Sequence, residues 1–126
     1  MKTEIRYIEL KTGYADDGPA WIGKVKLSKS GNTVYFNDKA FQKCRGFSGK
    51  YFDVETHEQY WISGVKKDGS DRHWAGHGKI ILAKNIVADY LAITEQHTVD
   101  KRRFIIEDIP ENYPIERIGE LKNRTP

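Results

Sequence analysis

In the stretch AWIGKVKLSK, residues 20–29, the odd positions Trp21, Gly23, Val25 and Leu27 fall on one face and Lys24, Lys26 and Ser28 on the other. A period of two is the mark of a half-buried strand, because successive side chains leave a pleated backbone on opposite sides. SKSGN then turns the chain, and TVYFND resumes the alternation with Val34 and Phe36 facing one way and Tyr35 the other. Residues 20–38 therefore read as a hairpin with lysines on its outer face. The rest of the chain has to be accommodated around antiparallel pairing.

Several other stretches behave in the same way. EIRYIEL (4–10) is a strand followed by a loop of turn-forming residues, KTGYADDGP. YFDV (51–54) and QYWISGV (59–65) flank the short connector ETHE, with His57 at its tip. Asp68-Gly69 signals a turn, and KIIL (79–82) is a further strand. The segment KAFQKCRGFSGK is read as the end of the second hairpin strand running into a loop around Gly46 and Gly49. Only KNIVADYLAI (84–93) carries helical spacing, with Ile86, Val87, Tyr90, Leu91 and Ile93 on one stripe, and this helix is expected to plug an open end of the sheet. FIIEDIP reads as one more short strand, and YPIERIGELKNRTP as a polar, Pro-punctuated tail.

Five or six short strands in hairpin order suggest a bent sheet that closes on itself, since closure removes exposed edges. The expected fold is thus mostly β: a small SH3-like barrel first, an OB-like barrel second and a helix-capped α+β roll third. The domain is expected over residues 1–94, with 95–126 a C-terminal extension, partly strand and loosely ordered. A chain of 126 residues is enough for one core.

The single cysteine, Cys44, excludes an internal disulfide and favours a reducing, cytoplasmic setting. The charged start, MKTEIRYIEL, lacks the pattern of a signal peptide, and no window has the apolar length of a membrane span. Net charge is only +3, but residues 1–50 carry ten Lys/Arg against five Asp/Glu, and residues 51–100 five against eight. Such asymmetry makes either a nucleic-acid footprint or two mutually attracting solvated faces.

The densest polar stretch is DRHWAGHGK, where Asp71, Arg72, His73, Trp74, His77 and Lys79 fall within nine residues. Arg72 and Lys79 supply charge for an anion and Trp74 a π face for a base. The plainer reading is a long turn fixed by Asp71 and Arg72, with Trp74 covering a barrel end. A metal at His73 and His77, completed by His57 or Asp71, would suit zinc chemistry. Spacing of i, i+4 serves only a helix, however, and WAGHG does not form one, so no metal and no cofactor are expected. Cys44 near a histidine would allow nucleophilic catalysis, although a lone cysteine after an aromatic strand is more often a core residue. There is no GxxxxGK[ST] or GxGxxG phosphate loop, and no catalytic residues are assigned.

A distributed signal remains: Lys24, Lys26, Lys29, Tyr35, Lys39, Phe41, Lys43 and Arg45 interleave base and aromatic along the first hairpin. On a barrel this face would track phosphates and stack bases. Lysine on an exposed strand also discourages edge pairing. The expected function is a non-enzymatic binding module for nucleic acid or another anionic partner, with Arg72, His73, Trp74, His77, Lys79, Lys24, Lys26 and Tyr35 as binding residues. The alternatives are a protein-interaction accessory using Tyr60, Trp61 and Trp74, and a small enzyme built on Cys44 or on His73 and His77.

GPAWIGKVKLSKSGNTVYFN and YWISGVKKDGSDRHWAGHGKI resemble a group of small uncharacterised bacterial proteins, over residues 3 to about 93. Some of that group are labelled deoxyxylulose-phosphate synthase, an enzyme several times longer that holds thiamine diphosphate through a GDG…N element. Here the comparable stretch, Lys67-Asp68-Gly69, lacks the leading glycine. The resemblance implies a bacterial cytosolic protein and carries over no functional residues.

Overall fold

A computed structural model describes residues 1–11, 18–46, 49–69, 71 and 78–123. Among them are eight strands: β1 (Lys2–Leu10), β2 (Ala20–Leu27), β3 (Thr33–Phe36), β4 (Lys39–Lys43), β5 (Lys50–Asp53), β6 (Gln59–Gly64), β7 (Ile80–Ala83) and β8 (Phe104–Glu107). Each of the first five strands pairs antiparallel with the next, and β6 returns to β1 with Ile8 opposite Ile62. The first six strands of the sheet therefore close into a barrel. The mostly β small barrel with a helix near 84–93 is what the chain forms.

β2 belongs to two structures at once. Its last residues, Lys26 and Leu27, pair with β3, while its first, Ala20 to Ile22, pair with the parallel strand β7, which in turn pairs with β8. Gly23 lies between the two sets of partners. A Cβ there would come within 2.7 Å of the Phe36 ring, so the strand can split only where it has no side chain.

Alternation sorts the apolar residues into three cores. The lumen is filled from all six barrel strands, by Ile8, Val25, Leu27, Val34, Phe36, Phe41, Tyr51, Tyr60 and Ile62. Phe41 and Tyr60 meet with ring centroids 4.6 Å apart. A second core lies outside the barrel, where Tyr7, Ile22, Leu82 and Phe104 are covered by a 3₁₀ turn (Lys84–Ile86) and the helix α1 (Val87–Thr94) through Ile86 and Tyr90. The helix thus covers the outer face of the extended sheet instead of plugging an open end, because its buried residues meet those that point away from the lumen. Glu95 ends it in the left-handed conformation, φ 56°, its N–H reaching Leu91 and Ala92.

The third core corrects two expectations. KAFQK is a strand of its own, because Asn37 and Asp38 both take positive φ, 48° and 63°, and make a two-residue hairpin turn. Asn and Asp tolerate that conformation without glycine, so the turn carries no glycine signal. The described chain from residue 95 to 123 is no loose appendage either. β8 extends the sheet, and a second helix, α2 (Ile118–Asn123), brings Leu121 to 2% exposure against Tyr35, Ala40 and Val54.

Candidate functional site

The polar knot that stands out in the sequence is described only at its margins: Arg72, His73, Trp74 and His77 lie outside the described residues. Lys79 is exposed just ahead of β7. Asp71, on the other flank, accepts the Lys66 N–H at 2.7 Å through Oδ1, while its buried Oδ2 has no hydrogen-bond partner. Burial holds its carboxyl above the usual aspartate range. Arg103 donates to the Gly69 carbonyl at 2.9 Å, and burial, with the Asp71 charge adding to it, pushes the Tyr90 phenol up to about 12. These contacts tie the turn to the sheet and α1.

Lys24, Lys26 and Tyr35 do share the outer side of the β2–β3 hairpin, but that side is covered by the chain's own C-terminal segment. The Lys24 ammonium lies 3.6 Å from Glu111, and the Lys24 carbonyl accepts the Tyr113 hydroxyl at 3.1 Å. The Lys26 ammonium sits 5.1 Å from the Tyr113 ring centroid. Tyr35 is 4% exposed beneath Leu121, and burial raises its phenol. A base cannot stack on a ring that is already packed, so Tyr35 is corrected from a surface residue to a core residue. The sequence pattern placed the side chain on the right face without indicating that the face is occupied.

At one end of the barrel, where the chain turns from β2 to β3 and from β4 to β5, three cations lie close together in the fold. Lys29, Lys43 and Arg45 are exposed there and form no ion pair among the described residues. An open groove of about 460 Å³ lies between the start of β1 and the β2–β3 turn, lined by Lys2, Glu4, Arg6, Ser28, Lys29 and Ser30. On the far side of that turn a second groove, about 350 Å³, is lined by Asn32, Gln42, Lys43, Cys44 and Arg45. The turn is held by its own hydroxyls: Ser28 Oγ accepts the Thr33 N–H at 3.1 Å and Ser30 Oγ the Asn32 N–H at 3.2 Å.

Glu4 controls the floor of the first groove. It accepts from Lys2 at 3.0 Å and from the Arg6 guanidinium at 2.6 Å. The Lys2 hydrogen bond, with Arg6 beside it, outweighs partial burial and holds the Glu4 carboxyl below the usual range. Beneath lies Tyr51, which donates to the Gly31 carbonyl at 3.3 Å and feels the Arg6 charge. Sequence reasoning missed Lys2, Glu4 and Arg6. The signal was their even spacing, which puts them on the same face as Ile8 and so at the mouth of the lumen.

The opposite end differs. Asn37, Lys39, Trp21 and four lumen residues enclose only about 10 Å³ there, room for a single water. Glu9, 2% exposed, accepts from Tyr7 and lies 2.9 Å from the Lys11 ammonium. Asp53, also 2% exposed, accepts the N–H groups of Glu55 and Thr56 at 2.8 and 3.3 Å, with Lys39 at 3.7 Å.

The remaining chemical ideas find little geometry. Cys44 is half-buried at the open end, whereas His57 is in the β5–β6 turn at the opposite end, its ring edge-on to Phe52 at 6.0 Å. Among the described residues no group of three or more His, Cys, Asp or Glu could hold a metal, and no helix is long and apolar enough to cross a membrane. Tyr60 is 4% exposed in the lumen, and the Trp61 ring lies against Gly49, where a Cβ would come within 2.8 Å of it. No protein-family model, curated protein or solved structure matches the chain.

Proposed function

We propose that this protein is a small non-enzymatic binding module of the cytoplasm whose partner is a nucleic acid, contacted mainly through the phosphate backbone. The observation that carries this reading is the cluster of three exposed cations, Lys29, Lys43 and Arg45, around the two grooves at one end of the barrel. Lys11, Lys24, Lys39 and Arg117 each lie beside a carboxylate of this chain, and Lys29, Lys43 and Arg45 form no ion pair among the described residues. Exposed lysine and arginine without partners on a closed barrel cost nothing in solution and attract polyanions at long range. The single free cysteine fits a reducing compartment. A protein partner docked through Tyr60, Trp61 and Trp74 is less well supported, since Tyr60 is buried and Trp61 is packed on Gly49.

The test is a titration of labelled single-stranded and duplex DNA and RNA with the full chain, followed by fluorescence anisotropy. Binding should saturate at low salt and weaken as salt rises, with a log–log slope of about −2 for three phosphate contacts on a single strand. The absence of any binding at low salt would overturn the proposal.

A further inference from the structure

Given a nucleic-acid partner as proposed above, we infer that a single-stranded phosphodiester backbone crosses the barrel end over the β2–β3 turn. Lys29, Lys43 and Arg45 hold it, and Glu4 limits its affinity by occupying Lys2 and Arg6. The two grooves, about 460 and 350 Å³, flank the chain at Gly31–Asn32 from either side. Each has room for a phosphate and its sugar, and each offers cations. The turn stands between them as a ridge. A flexible strand can bend over such a ridge and place consecutive phosphates in both grooves, whereas a stiff duplex meets the ridge alone.

The ridge supplies donors as well as shape. Ser28 and Ser30 each use the hydroxyl oxygen to accept a backbone N–H, and their oxygens are 3.5 Å apart. At most one of their two O–H groups is spent between them, so at least one remains to donate to a phosphate oxygen. No aromatic ring is exposed in either groove among the described residues. The cations and hydroxyls described in the two grooves are suited to phosphate oxygens, whatever bases the strand carries.

Glu4 gives the site its adjustable part. Its carboxylate takes the place of a phosphate, holding the ammonium of Lys2 and the guanidinium of Arg6 at 3.0 and 2.6 Å. An incoming phosphate gains those two cations only by displacing it. Removing the negative charge while keeping the side-chain shape should thus tighten binding, the reverse of what loss of a structural ion pair does.

The experiment measures anisotropy of a labelled oligo-dT of about 20 nucleotides, at several salt concentrations, with the full chain and three variants. The triple change Lys29→Glu, Lys43→Glu and Arg45→Glu should weaken binding roughly 10–100-fold and flatten the salt slope by about 2. The double change Lys24→Glu and Lys26→Glu, on the covered hairpin face, should alter affinity less than about threefold. Glu4→Gln should tighten binding and steepen the slope by about 0.7 for each cation released. An oligo-dT that binds with equal strength to the triple variant, or a hairpin-face variant that loses binding instead, would overturn the site and leave the nucleic-acid reading standing. An unchanged salt slope in Glu4→Gln would overturn the role of Glu4. Equal, equally mutation-sensitive binding of poly-glutamate would overturn the phosphodiester assignment, and no binding by the wild-type chain would overturn both proposals.

Discussion

The two ends of the barrel use charge in opposite ways. At the end that carries the β1–β2, β3–β4 and β5–β6 connections, carboxylates are matched: the buried Glu9 with Tyr7 and Lys11, the buried Asp53 with two backbone N–H groups and Lys39, and the exposed Asp38 with Arg117. At the other end Glu4, the only described carboxylate lining the grooves, shares the first groove with Lys2, Arg6 and Lys29, while Lys43 and Arg45 line the second. Buried charges are costly to orphan and so are fixed by the fold. Exposed ones contribute little to stability and are available for something else. Stability and binding are therefore expected to reside at opposite ends.

The largest effect should come from Glu9→Ala at the matched end, which removes the buried carboxylate that accepts from Tyr7 and Lys11 and should cost about 3 kcal/mol in urea unfolding. Next is alkaline pH. Burial, with Glu58 and Asp53 adding to it, pushes the Tyr60 phenol up to about 12 from an ordinary value of 10. Because the folded value is the higher one, its contribution is complete below pH 10 and is lost as pH rises towards 12, about 2–3 kcal/mol in all. Tyr51, near the open end, is raised by burial but opposed by Arg6, so its loss should be smaller. Unfolding monitored against pH in Tyr60→Phe and Tyr51→Phe would separate them, and equal pH profiles would break the contrast. Asp53→Ala should cost about 1–2 kcal/mol by removing the carboxylate that accepts the Glu55 and Thr56 N–H groups. Smallest of all, Lys29→Ala should stay within about 0.5 kcal/mol of the wild type in the same assay. A larger loss would mean that the open end also serves stability.

The sequence exposed the barrel and concealed its coverings. Strict alternation in β2 and β6 placed Val25, Leu27, Tyr60 and Ile62 in the lumen, because one buried face forces a period of two. The same rule put Lys24, Lys26 and Tyr35 outside, which is correct in direction and silent about neighbours. What covers them, Glu111, Tyr113 and Leu121, comes from a stretch whose prolines and charges read locally as loose chain. Pairing between distant segments leaves no local period, and the parallel strands β7 and β8 escape hairpin logic for the same reason. Of the binding residues expected, Lys24, Lys26 and Tyr35 are held within the protein, Lys79 is exposed, and the knot from Arg72 to His77 lies outside the described residues.

The closing pair has a kinetic consequence. Within the barrel every pairing but one joins neighbours along the chain, each reached by closing a short loop. The exception, β6 on β1, must bring together the first and last barrel strands before the lumen is sealed around Ile8 and Ile62. Its loop entropy is the greatest in the barrel, so that seam should form last during refolding and open first when the native state breathes. Hydrogen exchange should find the amides that bridge β1 and β6 less protected than those of the β3–β4 hairpin.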